Sequence, residues 1–160
     1  MNTRRILWLI ALTFGAWIAL GVIVISAEWG PQPQEAFNIT RIYSFKGWQS
    51  TGIHLAKGDA YTIRADGQWM YSPFAGPHGP EGHRYFRAPN FYPLPGVQGG
   101  ALIGRVGEES KPFYVGKGTS GVADRNGRLY LRIDDDLLGD NEGYVTFEVT
   151  VTRLTPTPRK

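Results

Sequence analysis

The chain has 160 residues, with 21 glycines, 11 prolines, no cysteine and a net charge of +3. That length suits one domain plus a leader, and a composition rich in glycine, proline and aromatics leans toward an all-β build with structured loops. The missing cysteines exclude disulfides, a thiol nucleophile, thiolate metal sites, covalent haem and a lipoprotein anchor, and basic pairs confined to the ends (Arg4, Arg5; Arg159, Lys160) give nucleic-acid binding little support.

After Met1-Asn2-Thr3-Arg4-Arg5, the run Ile6 to Ile25 carries no charge. As a helix rising ~1.5 Å per residue it would span about 30 Å, the hydrocarbon thickness of a bilayer. It exceeds the usual h-region of a secretory signal, and Ile25 stands three places before a candidate cleavage point at Ala27 where a small residue is preferred. The expectation is a single-pass transmembrane anchor over residues 1–27, with a cleaved signal peptide as the alternative. Arg4 and Arg5 would hold the N-terminus in the cytoplasm and place the C-terminal domain in an extracytoplasmic, periplasmic or extracellular, location. Residues 28–35 read as a stiff spacer around Pro31 and Pro33.

Strand patterns follow over residues 36–45, 48–55 and 60–65, with Lys57-Gly58-Asp59 as a turn and a short strand or continuation at 69–72. Residues 73–100 hold no period of two or 3.6 and read as a long aromatic-rich loop, of the kind that is usually functional. Shorter strands are expected at 101–106, 112–115 and 121–123. Leu129, Leu131 and Ile133 alternate in one strand, and Val145, Phe147, Val149 and Val151 alternate in another, giving two half-buried strands. Residues 155–160 form a Pro-containing tail expected to be disordered. Eight or nine short strands over 36–154 point to a β-sandwich of jelly-roll type.

Between the last two strands lies Asp134-Asp135-Asp136-Leu137-Leu138-Gly139-Asp140-Asn141-Glu142-Gly143, with five carboxylates and one amide in ten residues. Calcium takes several oxygens at about 2.3–2.6 Å, and such a loop can converge side-chain and carbonyl oxygens on one point. Asp, Asn and Gly also crowd ordinary hairpin turns, so turn chemistry is the competing reading. Mutual repulsion of the carboxylates calls for neutralisation by a cation, by Arg132 or by solvent.

The order Trp48-Gln49-Ser50-Thr51-Gly52-Ile53, Lys57-Gly58-Asp59, Ala65-Asp66-Gly67-Gln68-Trp69-Met70-Tyr71-Ser72-Pro73, Gly79-Pro80-Glu81-Gly82, Gly100 to Gly107 and Asp134 to Gly143 resembles the small calcium-dependent galactophilic bacterial lectins, the LecA-like proteins. The resemblance covers about residues 45 to 152. It implies a jelly-roll sandwich with calcium at one end, sugar hydroxyls completing the coordination, and ligation by the backbone carbonyls of Tyr71 and Leu138 with the side chains of Asp135, Asp140 and Asn141. Asp134 or Asp136 are alternative donors, because the stretch from Asp135 to Asp140 is shorter than in the galactose-binding lectin. Asp140 stands where that lectin has a neutral amide. Phe86 falls where it uses a histidine, and no glutamine follows, so galactose specificity is not implied. His83, Arg84 and Phe86 are the candidate glycan contacts, with ordinary loop packing the competing reading for the aromatics Tyr85, Phe86, Phe91 and Tyr92.

His78, Glu81 and His83 could form a zinc or copper site, although the neighbouring Pro and Gly residues read first as turn formers. No nucleophile elbow, His-Glu-x-x-His helix or phosphate loop is present, so no enzyme is expected. The functional expectation is a membrane-anchored, calcium-binding, lectin-like module for carbohydrate. The alternative is an accessory subunit of a larger membrane complex, its helix packing through Gly15, Ala16 and Gly21 and its calcium purely structural.

Overall fold

Alternation is strictest in the strand Glu142–Thr152, where Val145, Phe147, Val149 and Val151 are all buried while Glu148 faces out. In the computed structural model, which describes residues 40–153 and the backbone of Glu35–Ala36, this is the last of nine strands. They are β1 (Glu35–Ala36), β2 (Thr40–Tyr43), β3 (Gln49–Leu55), β4 (Ala60–Met70), β5 (Leu102–Val106), β6 (Phe113–Tyr114), β7 (Gly118–Val122), β8 (Gly127–Ile133) and β9 (Glu142–Thr152).

Two antiparallel sheets result. In the first, β9 pairs with β4 along its whole length, β7 lies beyond β4, and β1 and β2 share the other edge of β9. In the second, the order is β3, β8, β5, β6. The inward faces meet in one core: Ile63, Val145 and Val149 from the first sheet and Leu55, Leu102, Leu129, Leu131 and Ile133 from the second are fully buried. Each such side chain withdrawn from water stabilises the fold by about 1.5–3 kcal/mol. The protein is an all-β sandwich, as its alternating strands indicate. The described residues contain no helix long and apolar enough to cross a membrane, and the expected anchor at 1–27, the spacer up to Gln34 and the tail at 155–160 lie outside them.

Several strand boundaries differ from the sequence pattern for local reasons. The pattern breaks at Asp66-Gly67, yet β4 runs unbroken from Ala60 to Met70, because Gly67 takes a positive φ of 114° and keeps its place opposite Val145. A Cβ there would lie 3.3 Å from the Val145 Cα. Within 36–45, the described residues place Ala36 in β1 and Thr40–Tyr43 in β2, and β7 begins at Gly118, ahead of the expected position.

The segment between β4 and β5 holds no regular strand, as expected, but it is tied down throughout. Trp69 and His78 exchange backbone hydrogen bonds of 3.0 and 2.9 Å, and a second bridge joins Arg87 to Gln98. The indole Nε1 of buried Trp69 donates to the Gly100 carbonyl at 2.9 Å. At Gly100, φ is +75° and a side chain would collide with His78 and Tyr71, so this residue lets the loop return flat against the end of β4.

Replacing Gly67 by Ala should destabilise the domain by about 1–3 kcal/mol through backbone strain and crowding against β9. Denaturant unfolding checks this, with a lowered midpoint and an unchanged slope as the expected outcome.

Candidate functional site

The strand β8 ends by carrying carboxylates inward. Asp134 and Asp135 are 0% and 2% exposed, and Asn141 at the start of β9 is 5% exposed. The segment between them makes one short 3₁₀ turn at Leu138–Asp140, with the Leu138 side chain packed on the core.

Backbone and neighbouring elements hold this loop in place. Asp134 exchanges backbone hydrogen bonds with Gly100 and Ala101 at 2.8 and 2.7 Å, and its Oδ1 accepts from the Leu94 amide at 2.9 Å. Arg132 donates to the carbonyls of Ile133 (2.9 Å) and Asp135 (2.6 Å), while its guanidinium lies 5.6 Å from the Trp48 ring centroid. Asn141 Nδ2 donates to the carbonyl of buried Ser44 at 3.1 Å, and Ser44 donates from both its amide and its hydroxyl to Gly143. The turn after β2 thus clamps the end of the loop and orients the Asn141 amide, with its oxygen left over.

That oxygen is one of four. Asp134 Oδ2, Asp135 Oδ2, Asp140 Oδ1 and Asn141 Oδ1 are all shielded from water and have no hydrogen-bond partner. Buried polar groups are ordinarily paired, because an unpaired one costs about 1–3 kcal/mol and a charged one more. Three of the four belong to residues that the resemblance implies as ligands, and Asp134 is the alternative donor. Among the described residues no three His, Asp or Glu side chains come together as a chelating set. A cation here would therefore depend on amide and carbonyl oxygens as well as carboxylates, which is the donor chemistry of a hard cation such as calcium.

Tyr71 follows β4 and faces the same loop. Burial, and next the Asp135 charge, raise its hydroxyl pKa. Tyr92, one of the loop aromatics, comes to the acidic segment through its hydroxyl. Its hydroxyl is held well above the usual range by burial and by the Asp135 carboxylate, to which it hydrogen-bonds. Burial also raises Asp135, opposed by hydrogen bonds from Asn141 and Tyr92. Burial pushes Asp134 up to about 6, against the Leu94 amide and Arg132, which act to lower it.

On the other side of Tyr71 the loop residues form an aromatic layer. Phe86 stacks nearly parallel on Tyr71 at 5.8 Å, and the rings of His78 and His83 lie 5.3 and 5.9 Å from it. Phe86 is a packing residue here, pressed on Gly99 and Tyr71. His83 and Arg84 instead line an open cavity of about 550 Å³, with Gln68, His78, Glu81 and Tyr85 among its other walls. His78, Glu81 and His83 are brought together but do not form a chelating trio. The roles of Ser44, Tyr92 and Leu94 rest on contacts across 40 to 97 residues of sequence, and no local motif announces them.

No protein-family model matches this chain, and no curated protein matches it. Its fold is similar to a solved structure described as the EclA N-terminal domain, a PllA-like lectin. The TM-score is 0.59 at 21% identity, over 72% of this chain and 97% of that one. At that identity the likeness concerns the fold, and the chain shares the β-sandwich fold of that domain.

Asp134 has a raised folded pKa, so its protonated form favours folding. The associated stability is fully present below the unfolded value of about 3.9 and is lost as pH rises through about 6. In chelator, the thermal midpoint of the protein should therefore fall as pH rises from 4 to 6. Asp134→Asn, which keeps the acceptor for Leu94, should flatten that fall; an unchanged profile would show that Asp134 is not its source.

Proposed function

We propose that the domain is a carbohydrate-binding, lectin-like module, non-enzymatic, whose acidic loop holds a calcium ion. The observation that carries this reading is the set of four buried, unpartnered oxygens on Asp134, Asp135, Asp140 and Asn141. A site of that kind is costly without a cation and is matched in donor chemistry by calcium. The side chains of Asp135, Asp140 and Asn141 would hold the ion together with the backbone carbonyls of Tyr71 and Leu138, and Asp134 is the further carboxylate available. When bound, calcium supplies coordination positions that vicinal hydroxyls of a sugar can fill.

The protein's own residues do the rest. Ser44 and Arg132 fix the loop by backbone contacts, so the donors are arranged before anything binds. Tyr92 positions the Asp135 carboxylate through its hydroxyl. The lectin-like fold supports carbohydrate as the ligand class. The uncharged run Ile6 to Ile25, preceded by Arg4 and Arg5, supports a membrane-anchored and extracytoplasmic placement of the domain.

Calorimetric titration with calcium tests the loop assignment. Saturable binding is expected, weakened roughly tenfold or more in Asp140→Ala by loss of one charged ligand. A glycan array probed with and without chelator tests the ligand class. Retention on glycans that chelator abolishes is the expected result, whereas calcium uptake with no glycan retained would make the ion structural and leave the carbohydrate reading without support.

A further inference from the structure

The outer face of the sheet formed by β3, β8, β5 and β6 carries an arginine with no acidic partner among the described residues. β8 turns Leu129, Leu131 and Ile133 to the core, so Tyr130 and Arg132 face out, and Arg105 of β5 stands opposite Tyr130 on the same face. Trp48, in the turn just before β3, lies against this surface. The Arg105 guanidinium is 4.4 Å from the Trp48 ring centroid and 5.5 Å from that of Tyr130, and the Arg132 guanidinium is 5.6 Å from the same indole. The next residue, Gln49, fixes the Trp48 backbone: its side chain exchanges hydrogen bonds of 3.1 and 2.9 Å with the Tyr43 main chain.

This packing holds the Arg105 guanidinium in place without using its N–H groups, because cation–π contact acts through the ring face. Among the described residues Arg105 makes no hydrogen bond and no ion pair. Its Nε is shielded from water, which leaves the two terminal nitrogens as the open ones. Glu108 is engaged by the Tyr130 hydroxyl, which donates to it at 3.1 Å. Arg132 donates from Nε and Nη2 to backbone carbonyls and keeps Nη1 free. Burial lowers the Arg132 pKa and the Arg105 charge adds to that, while Asp134 and Asp135 oppose it.

Two neighbouring guanidiniums repel each other, and an anion beside both relieves the repulsion. A neutral hydroxyl would meet the N–H groups and leave the charge, and an apolar ligand would meet neither. The terminal N–H groups of a guanidinium lie parallel in one plane and match the two oxygens of a carboxylate. The half-buried Trp48 ring provides apolar surface beside them for the C–H groups of a sugar that carries the acid.

We propose that Arg105, with Arg132 beside it on Trp48, forms a site for the carboxylate of an acidic sugar, so that the glycan held by this domain contains uronate units. The proposal rests on the carbohydrate reading for its ligand class and is independent of the acidic loop holding an ion.

The test uses the 160-residue chain labelled with ¹⁵N at tryptophan, in calcium and in chelator. The probes are galacturonate, glucuronate and their short oligomers, with galactose and glucose as neutral parents and inorganic phosphate and sulfate as free anions. Trp48→Phe assigns the Trp48 indole signal, and buried Trp69, whose indole donates to Gly100, is the internal reference. The expected result is that an acidic sugar moves the Trp48 signal saturably while its neutral parent leaves it still. Its Kd should rise about tenfold in Arg105→Gln. It should stay unchanged in Arg128→Gln, which removes the same charge from an exposed position of β8 outside the Trp48 cluster. Arg105→Lys keeps the charge but loses the paired N–H groups; it should also bind more weakly, and it keeps the test valid if Arg105→Gln does not fold. An equal response to the neutral parents or to free phosphate or sulfate, or an undiminished response in Arg105→Gln, would overturn the site, as would a silent Trp48. Calcium-dependent retention of neutral glycans with Trp48 silent would overturn it and leave the carbohydrate reading standing. A Trp48 response to acidic sugar in chelator, with no calcium uptake, would uphold it and overturn the cation reading.

Discussion

Everything at this end of the sandwich is arranged around carboxylates that have been taken out of water. A buried ionised carboxylate is tolerated only with compensating hydrogen bonds or charge. Here neighbouring backbone and side-chain groups supply part of the compensation. Leu94 gives its amide to Asp134, and Tyr92 and Asn141 hydrogen-bond to Asp135. Arg132, the nearest cation in sequence, aims its guanidinium at backbone carbonyls. Its hydrogen bonds tie the loop down while leaving one oxygen of each buried aspartate unmatched. The positive charge sits beside the site without neutralising it by direct contact, and that division of labour preserves the donors.

The long connection from β4 to β5 supplies the opposing wall. Its path is set by Trp69, whose indole binds the Gly100 carbonyl, and by Gly100 itself, where no side chain fits. Because Gly100 and Ala101 also bond the backbone of Asp134, the loop and the acidic segment share hydrogen bonds and form one unit. Tyr71 lies at their junction, close to Asp135 on one side and to the His78, His83 and Phe86 rings on the other.

Much of the fold could be read from the chain because period-two burial leaves a direct trace. Leu129, Leu131 and Ile133, and the valines and phenylalanine of β9, all face the core as their spacing demands. Of the two readings open for residues 69–72, a separate short strand or a continuation, the structure has the continuation as far as Met70, since the glycine that breaks the pattern is the residue that lets β4 continue against β9. The acidic segment was legible as a concentration of oxygen donors, and the structure buries Asp135 and Asn141 within it. Which atoms stay unpartnered was not legible, because that depends on Ser44, Leu94 and Tyr92 arriving from elsewhere. Phe86 shows the opposite limit: a position aligned with a sugar contact holds a ring that stacks within the loop.

The register of β9 also sets polarity. The strand leaves the acidic segment at Glu142, and its far end, at Thr150 and Val151, pairs with Ala36 and Glu35. Eight steps of extended chain from Gly143 to Val151 separate the two ends by roughly 25 Å. The backbone therefore enters the sandwich at Glu35 and leaves it beyond Thr152 at the same pole, while the unpartnered oxygens crowd the other.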